Sequence, residues 1–75
     1  MVGLIVKVEE DRREDLVREL SGRSHASIHG VEGNQIALLL DTDDIHIIAG
    51  STSEIQDMKG VIGVYPIFSK DIFSP

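Results

Sequence analysis

The sequence predicts an α+β domain of six elements in the order β-α-β-β-α-β, and three observations carry that expectation. Apolar runs of strand length sit at residues 2–8, 35–40 and 61–68, and a weaker alternating run sits at 25–29. Two stretches between them space their apolar residues as helices do. Acidic, glycine-bearing and asparagine-bearing turns separate the runs.

The first run, Val2-Gly3-Leu4-Ile5-Val6-Lys7-Val8, is apolar and β-branched, and it stops at Glu9-Glu10-Asp11. Strand alternation puts Val2, Leu4, Val6 and Val8 on one face, and Gly3, Ile5 and Lys7 on the other. Asp11-Arg12-Arg13-Glu14 has the form of a capping box, with Asp11 capping the helix and Glu14 reaching back. Leu16, Val17 and Leu20 follow at helical spacing up to Gly22, which predicts a helix over about residues 12–21.

His25-Ala26-Ser27-Ile28-His29 alternates with period two and reads as a half-polar strand. Glu32-Gly33-Asn34 supplies a turn, and Gln35-Ile36-Ala37-Leu38-Leu39-Leu40 returns as a nearly all-apolar strand. The apolar strand is expected at the sheet centre and the half-polar one at an edge. Thr42-Asp43-Asp44 opens a second helix with N-cap chemistry, and Ile45, Ile48, Ala49, Thr52 and Ile55 fall on one face of it. Gly50-Ser51-Thr52-Ser53 has poor helix propensity, so this helix must be held by packing. Past Gly60, residues 61–68 form the fourth strand, in which Pro66 lacks a ladder donor and points to an edge position.

Right-handed crossovers around the strong central pair then give a ferredoxin-like sandwich. Its sheet has four antiparallel strands in order 4-1-3-2, with both helices on one face. The chain 1–75 is expected to be one domain, with its core at about 2–69 and a loose tail at 70–75.

Bulk properties narrow the function. There is no cysteine, which removes disulfides and thiolate metal sites and suits a reducing compartment. No apolar run approaches the roughly 20 residues of a membrane span. Met1 leads straight into a strand without a basic leader, so a cytoplasmic location is expected. Thirteen acids against seven bases give a net charge of −6, which repels nucleic acid and attracts basic partners. The hydrophobic content of 41% is enough to build a core.

The helix-covered face takes Leu4, Val6, Val8, Ala26, Ile28, Ile36, Leu38 and Leu40. The opposite face has nothing to cover it. Alternation places Ile5, Lys7, Ser27, His29, Ala37 and Leu39 there, joined by Tyr65 and Ile67 in one of two registers open to the last strand. Bare antiparallel faces are usually polar. Here Ile5, Ala37, Leu39 and Ile67 make an apolar patch of the kind that marks an interface. Two occupants fit it: a partner segment, or a second copy in a homodimer. The topology also gathers Glu9, Glu10, Asp11, Glu32 and Asp57 at one end of the domain. Singly these are caps and solvated turns; together they attract an arginine-rich segment, by a steering force that weakens with salt.

Catalytic equipment is missing. His25 and His29 are four apart on a strand, roughly 13 Å at about 3.3 Å per residue, too far to share one zinc ion. His46 is expected on the solvent side of a helix. The serines have no base or motif around them. Glu9-Glu10-Asp11 occupies the loop where a phosphate cradle would sit. One tyrosine in an acidic chain does not make a base-stacking RNA surface. Neither an enzyme nor a cofactor or metal protein is expected.

The pattern as a whole resembles the NapD family. The likeness lies in Leu4-Ile5-Val6-Lys7-Val8, in Asp15-Leu16-Val17-Arg18-Glu19-Leu20, and in the hairpin from Ile28-His29-Gly30-Val31-Glu32-Gly33-Asn34 into Gln35-Ile36-Ala37-Leu38-Leu39-Leu40. It closes with Met58-Lys59-Gly60-Val61-Ile62-Gly63-Val64-Tyr65-Pro66-Ile67-Phe68, so that it spans about residues 4–68. The resemblance implies a small cytoplasmic chaperone for maturation of periplasmic nitrate reductase. Such a chaperone binds the twin-arginine signal peptide of the catalytic subunit NapA and holds back export until the molybdenum cofactor is loaded. It also implies the sheet surface as the peptide site; on the charge reading above, the acidic end is then expected to meet the paired arginines. The competing expectation is a small-ligand regulatory domain of the ACT type, acting as a homo-oligomer. Against it, the Glu9–Arg13 loop lacks the glycine that would cradle a ligand.

Overall fold

The computed structural model describes residues 2–67. The elements come in the expected order: β1 (Val2–Val8), α1 (Arg13–Ser21), β2 (Ala26–Glu32), β3 (Gln35–Leu40), α2 (Ile45–Gln56) and β4 (Val61–Ile67). The sheet is ordered β2-β3-β1-β4 with every pair antiparallel, which is the expected 4-1-3-2 read from the other edge. Phe68 and the tail expected at 70–75 lie outside the described residues.

Alternation in the two central strands builds the core. Leu4, Val6 and Val8 of β1 and Ile36, Leu38 and Leu40 of β3 are fully buried, beneath Leu16 and Leu20 of α1 and Ile55 of α2. Ala26, Ile28, Val61 and Val64 pack against this cluster from the edge strands. Each such aliphatic side chain gives about 1.5–3 kcal/mol on leaving water, and among the described residues the offsetting polar burial is a single atom, the unpartnered Arg12 Nε.

The capping box expected at Asp11–Glu14 does not form. Glu10–Arg12 makes a 3-10 turn instead, closed by Arg12 N–H donating to the Glu9 carbonyl at 2.9 Å, and Arg13 N–H donates to the Glu10 carbonyl. The backbone thus satisfies the donors that Asp11 would otherwise cap, and Arg12 stands at the α1 N-cap with no side-chain cap. Arg12 in turn pairs with Asp15 at 2.8 Å. The second helix does start by side-chain capping, as Asp44 Oδ1 accepts from the N–H groups of His46 and Ile47.

The apolar stripe expected along α2 is only partly buried. Ile55 is enclosed, Ile48 and Thr52 are half-buried, Ala49 is exposed and Ile45 is 73% exposed. The helix leans on β4 at the sheet edge, so the start of its stripe borders a shallow hollow beside Pro66 and not the core.

Both edge strands carry a β-bulge. Ile28 faces Leu38 and Gly30 faces Ala37, which leaves His29 as an extra residue in β2. Lys7 faces Gly63 and Val8 faces Val61, which leaves Ile62 extra in β4 and 62% exposed. The bulge carries β2 on to Glu32, three residues past the expected end at His29. Beside the β4 start, Gly60 has φ +96°, and a Cβ there would lie 2.7 Å from Arg12 Cβ. Its carbonyl accepts from Glu9 N–H at 2.8 Å, tying the end of β1 to the turn before β4.

Two glycines should respond oppositely to alanine in urea denaturation. Gly60→Ala should lower stability by about 1–3 kcal/mol through left-handed strain and the Arg12 clash. Gly50→Ala, with open space around it in α2, should raise stability by roughly 0.5–1 kcal/mol.

Candidate functional site

The face opposite the helices is a grid of three rows read across β2, β3, β1 and β4. The first row is Ser27, Leu39, Gly3 and Ile67; the second is Gly30, Ala37, Ile5 and Tyr65; the third is Glu32, Gln35, Lys7 and Gly63. The register of β4 therefore puts Tyr65 opposite Ile5 and Ile67 opposite Gly3, on the open face together with Leu39 and Ala37. The first two rows are mostly apolar and the third is polar.

Tyr65 is 52% exposed and lies back over its own strand. A Cβ on Gly63 would meet the Tyr65 hydroxyl at 2.9 Å, so the bare glycine is what seats the ring. Ile5, Lys7, Ala37 and Leu39 are half-buried, while Ser27, His29 and Glu32 are exposed.

A groove of about 290 Å³ opens on this face where β2 bulges. Ile5 and Ala37 form its apolar part, Gly30 leaves space, and His29, Val31, Glu32 and Gln35 complete the lining. Gly30, Val31 and Gln35 are not among the site residues that alternation picks out. A signal is present all the same, because a lone glycine inside a strand often marks a bulge. A second hollow lies apart from this face, between α2 and Pro66, lined by Ile45, Ile48, Ala49 and Thr52 among others.

The end of the domain holding the acids is knit by two backbone bonds and one from an arginine side chain. Val8 N–H donates to the Asn34 carbonyl, Glu9 N–H to the Gly60 carbonyl, and Arg13 Nη1 to the Gly33 carbonyl. Glu9, Glu10, Asp11, Glu32 and Asp57 are all exposed around it. Arg12, Arg13, Lys7 and Lys59 occupy the same end, so five carboxylates meet four cations there. Only Glu32 of the five also lines the groove.

Among the described residues, no helix is long and apolar enough to cross a membrane. No group of three His, Asp or Glu side chains among them converges as a metal ion would need.

Comparison with known proteins agrees with this architecture. Among curated proteins, none matches the chain. The solution structure of the E. coli Tat proofreading chaperone protein NapD superposes with a TM-score of 0.82 at 13% identity, covering 99% of this chain and 80% of that one. The family model described as NapD protein matches residues 1–71, nearly the whole length, and the chain belongs to the NapD family.

Proposed function

We propose that this protein is a chaperone that binds the twin-arginine signal peptide of a periplasmic nitrate reductase catalytic subunit. In this role it holds back export while the molybdenum cofactor is loaded, and it works in the cytoplasm, where the unexported subunit is found. The observation that carries the proposal is the bare sheet face of a NapD-family chain, with apolar rows beside a polar one. The similarly folded E. coli protein is a Tat proofreading chaperone, which supports the same role.

The chemistry fits the proposed ligand. A twin-arginine signal peptide joins a cationic pair to an apolar stretch. Ile5, Ala37, Leu39, Tyr65 and Ile67 offer the apolar stretch a surface to leave water on, at roughly 25 cal/mol per Å² of apolar area buried. Ser27, His29 and Lys7 supply polar contacts at its margins. Glu9, Glu10, Asp11, Glu32 and Asp57 attract the cations, with the nearby arginines and lysines limiting how strongly they do so. The reaction equipment of an enzyme has no part in this role, since retention needs affinity alone.

A homodimer through the same face competes directly with the peptide. Sedimentation should therefore find a monomer in the presence of saturating peptide. Titration of labelled protein with a synthetic twin-arginine signal peptide at low salt should shift the backbone resonances of Ile5, Leu39 and Tyr65 at micromolar concentration. Absence of binding, or shifts confined to α1 and α2, would overturn the proposal. Gly63→Val should weaken binding severalfold by displacing the Tyr65 ring while leaving the melting temperature nearly unchanged.

A further inference from the structure

We propose that the groove at the β2 bulge is a pocket for one arginine side chain, with Glu32 as its anion. This deepens the peptide-binding role and rests on it.

The bulge makes the pocket. The extra residue His29 shifts the alternation of β2, so that Gly30 faces Ala37 and Glu32 faces Gln35 on the open side. Gly30 contributes no side chain and Ala37 a single methyl, which leaves a depression of about 290 Å³ beside Ile5. An arginine joins a three-carbon apolar stem to a planar fork of five donors. Ile5 and Ala37 match the stem. The Glu32 carboxylate and the Gln35 amide oxygen are acceptors for the fork, at the hairpin end of the same groove.

Charge selects the ligand class. Glu32 is the one carboxylate among the described residues of the lining, and neither lysine nor arginine lines the groove there. An anion gains nothing from such a site. The other four acids at this end lie outside the groove, as do Arg12, Arg13, Lys59 and Lys7, the last on the far side of Gln35 from Glu32. Glu32 takes part in no ion pair among the described residues. A lysine would place a compact, strongly hydrated charge where the walls suit a flat, weakly hydrated one. The pocket has room for one such side chain, so the two arginines of a pair are not equivalent: one enters, and the other stays at the rim.

A double-mutant cycle by calorimetry tests this. The probes are a synthetic signal peptide with an arginine pair before an apolar stretch, and versions with the first or the second arginine changed to glutamine. Glu32→Gln should weaken the parent peptide about five- to tenfold, as expected for loss of a charge-assisted pair. It should cost one of the two single-glutamine peptides less than twofold, which identifies the arginine that enters. Gly30→Val should produce the same pattern by filling the depression without changing charge, and Glu19→Gln, exposed on α1 and outside the groove, should change little. Thermal melts verify that each variant is folded.

Equal losses for both single-glutamine peptides, or unchanged binding by Glu32→Gln, would overturn the pocket and leave peptide binding standing. Failure of the parent peptide to bind the unaltered protein would remove both.

Discussion

Two helices can cover one face of a four-stranded sheet and no more. At about 4.8 Å per strand the sheet is roughly 19 Å wide, and two helices of about 10 Å diameter span that width once. The alternation of β1 and β3 decides which face they take. Leu4, Val6, Val8, Ile36, Leu38 and Leu40 all point one way, and Leu16, Leu20 and Ile55 close over them. Everything else on the molecule follows from the face left behind. Its apolar residues Ile5, Ala37, Leu39 and Ile67 are half-buried by their neighbours in the sheet, with no element of the described chain above them.

The edges make the same point from another direction. A sheet can take an extended peptide at an edge strand through backbone bonds, and most such proteins must guard against it. Here β2 is interrupted by a bulge at His29, and β4 by a bulge at Ile62 and by Pro66, which has no N–H. Neither edge offers a long unbroken ladder. That fits the proposed role, in which the peptide binds on the face. The β2 bulge also shifts the pairing beyond it, so that Gly30 stands opposite Ala37 and Glu32 opposite Gln35 in the rows of the open face.

Much of this was legible in the sequence because it depends on period-two patterns. The strand order, the buried face and the central place of β3 come from alternation and from the contrast between residues 35–40 and 25–29. What was not legible depends on contacts between distant residues. The choice of register for β4 required knowing that Tyr65 meets Ile5. The 3-10 turn at Glu10–Arg12 follows from Glu9 being anchored to Gly60, some fifty positions away, and it displaces the cap that Asp11 and Glu14 suggested. The exposure of Ile45 reflects how α2 leans on an edge strand, which no helical wheel records. The groove depends on a bulge whose only trace in the sequence is Gly30 after His29.

The charges show how composition and placement differ. A net charge of −6 and five acids at one end suggest a strong attracting field for cations. Folding brings Arg12, Arg13, Lys7 and Lys59 to the same end, where Arg12 is already paired with Asp15, and these cations offset part of the field of the acids. At ordinary ionic strength the Debye length is about 8 Å, so the field of this end acts on a ligand only at short range. In the proposed role, discrimination then comes chiefly at contact. There the relevant quantity is the local charge beside apolar surface, where water is displaced and a single ion pair counts for more than in bulk solvent. The proposed arginine pocket has that character, since Glu32 lines the same groove as Ile5 and Ala37.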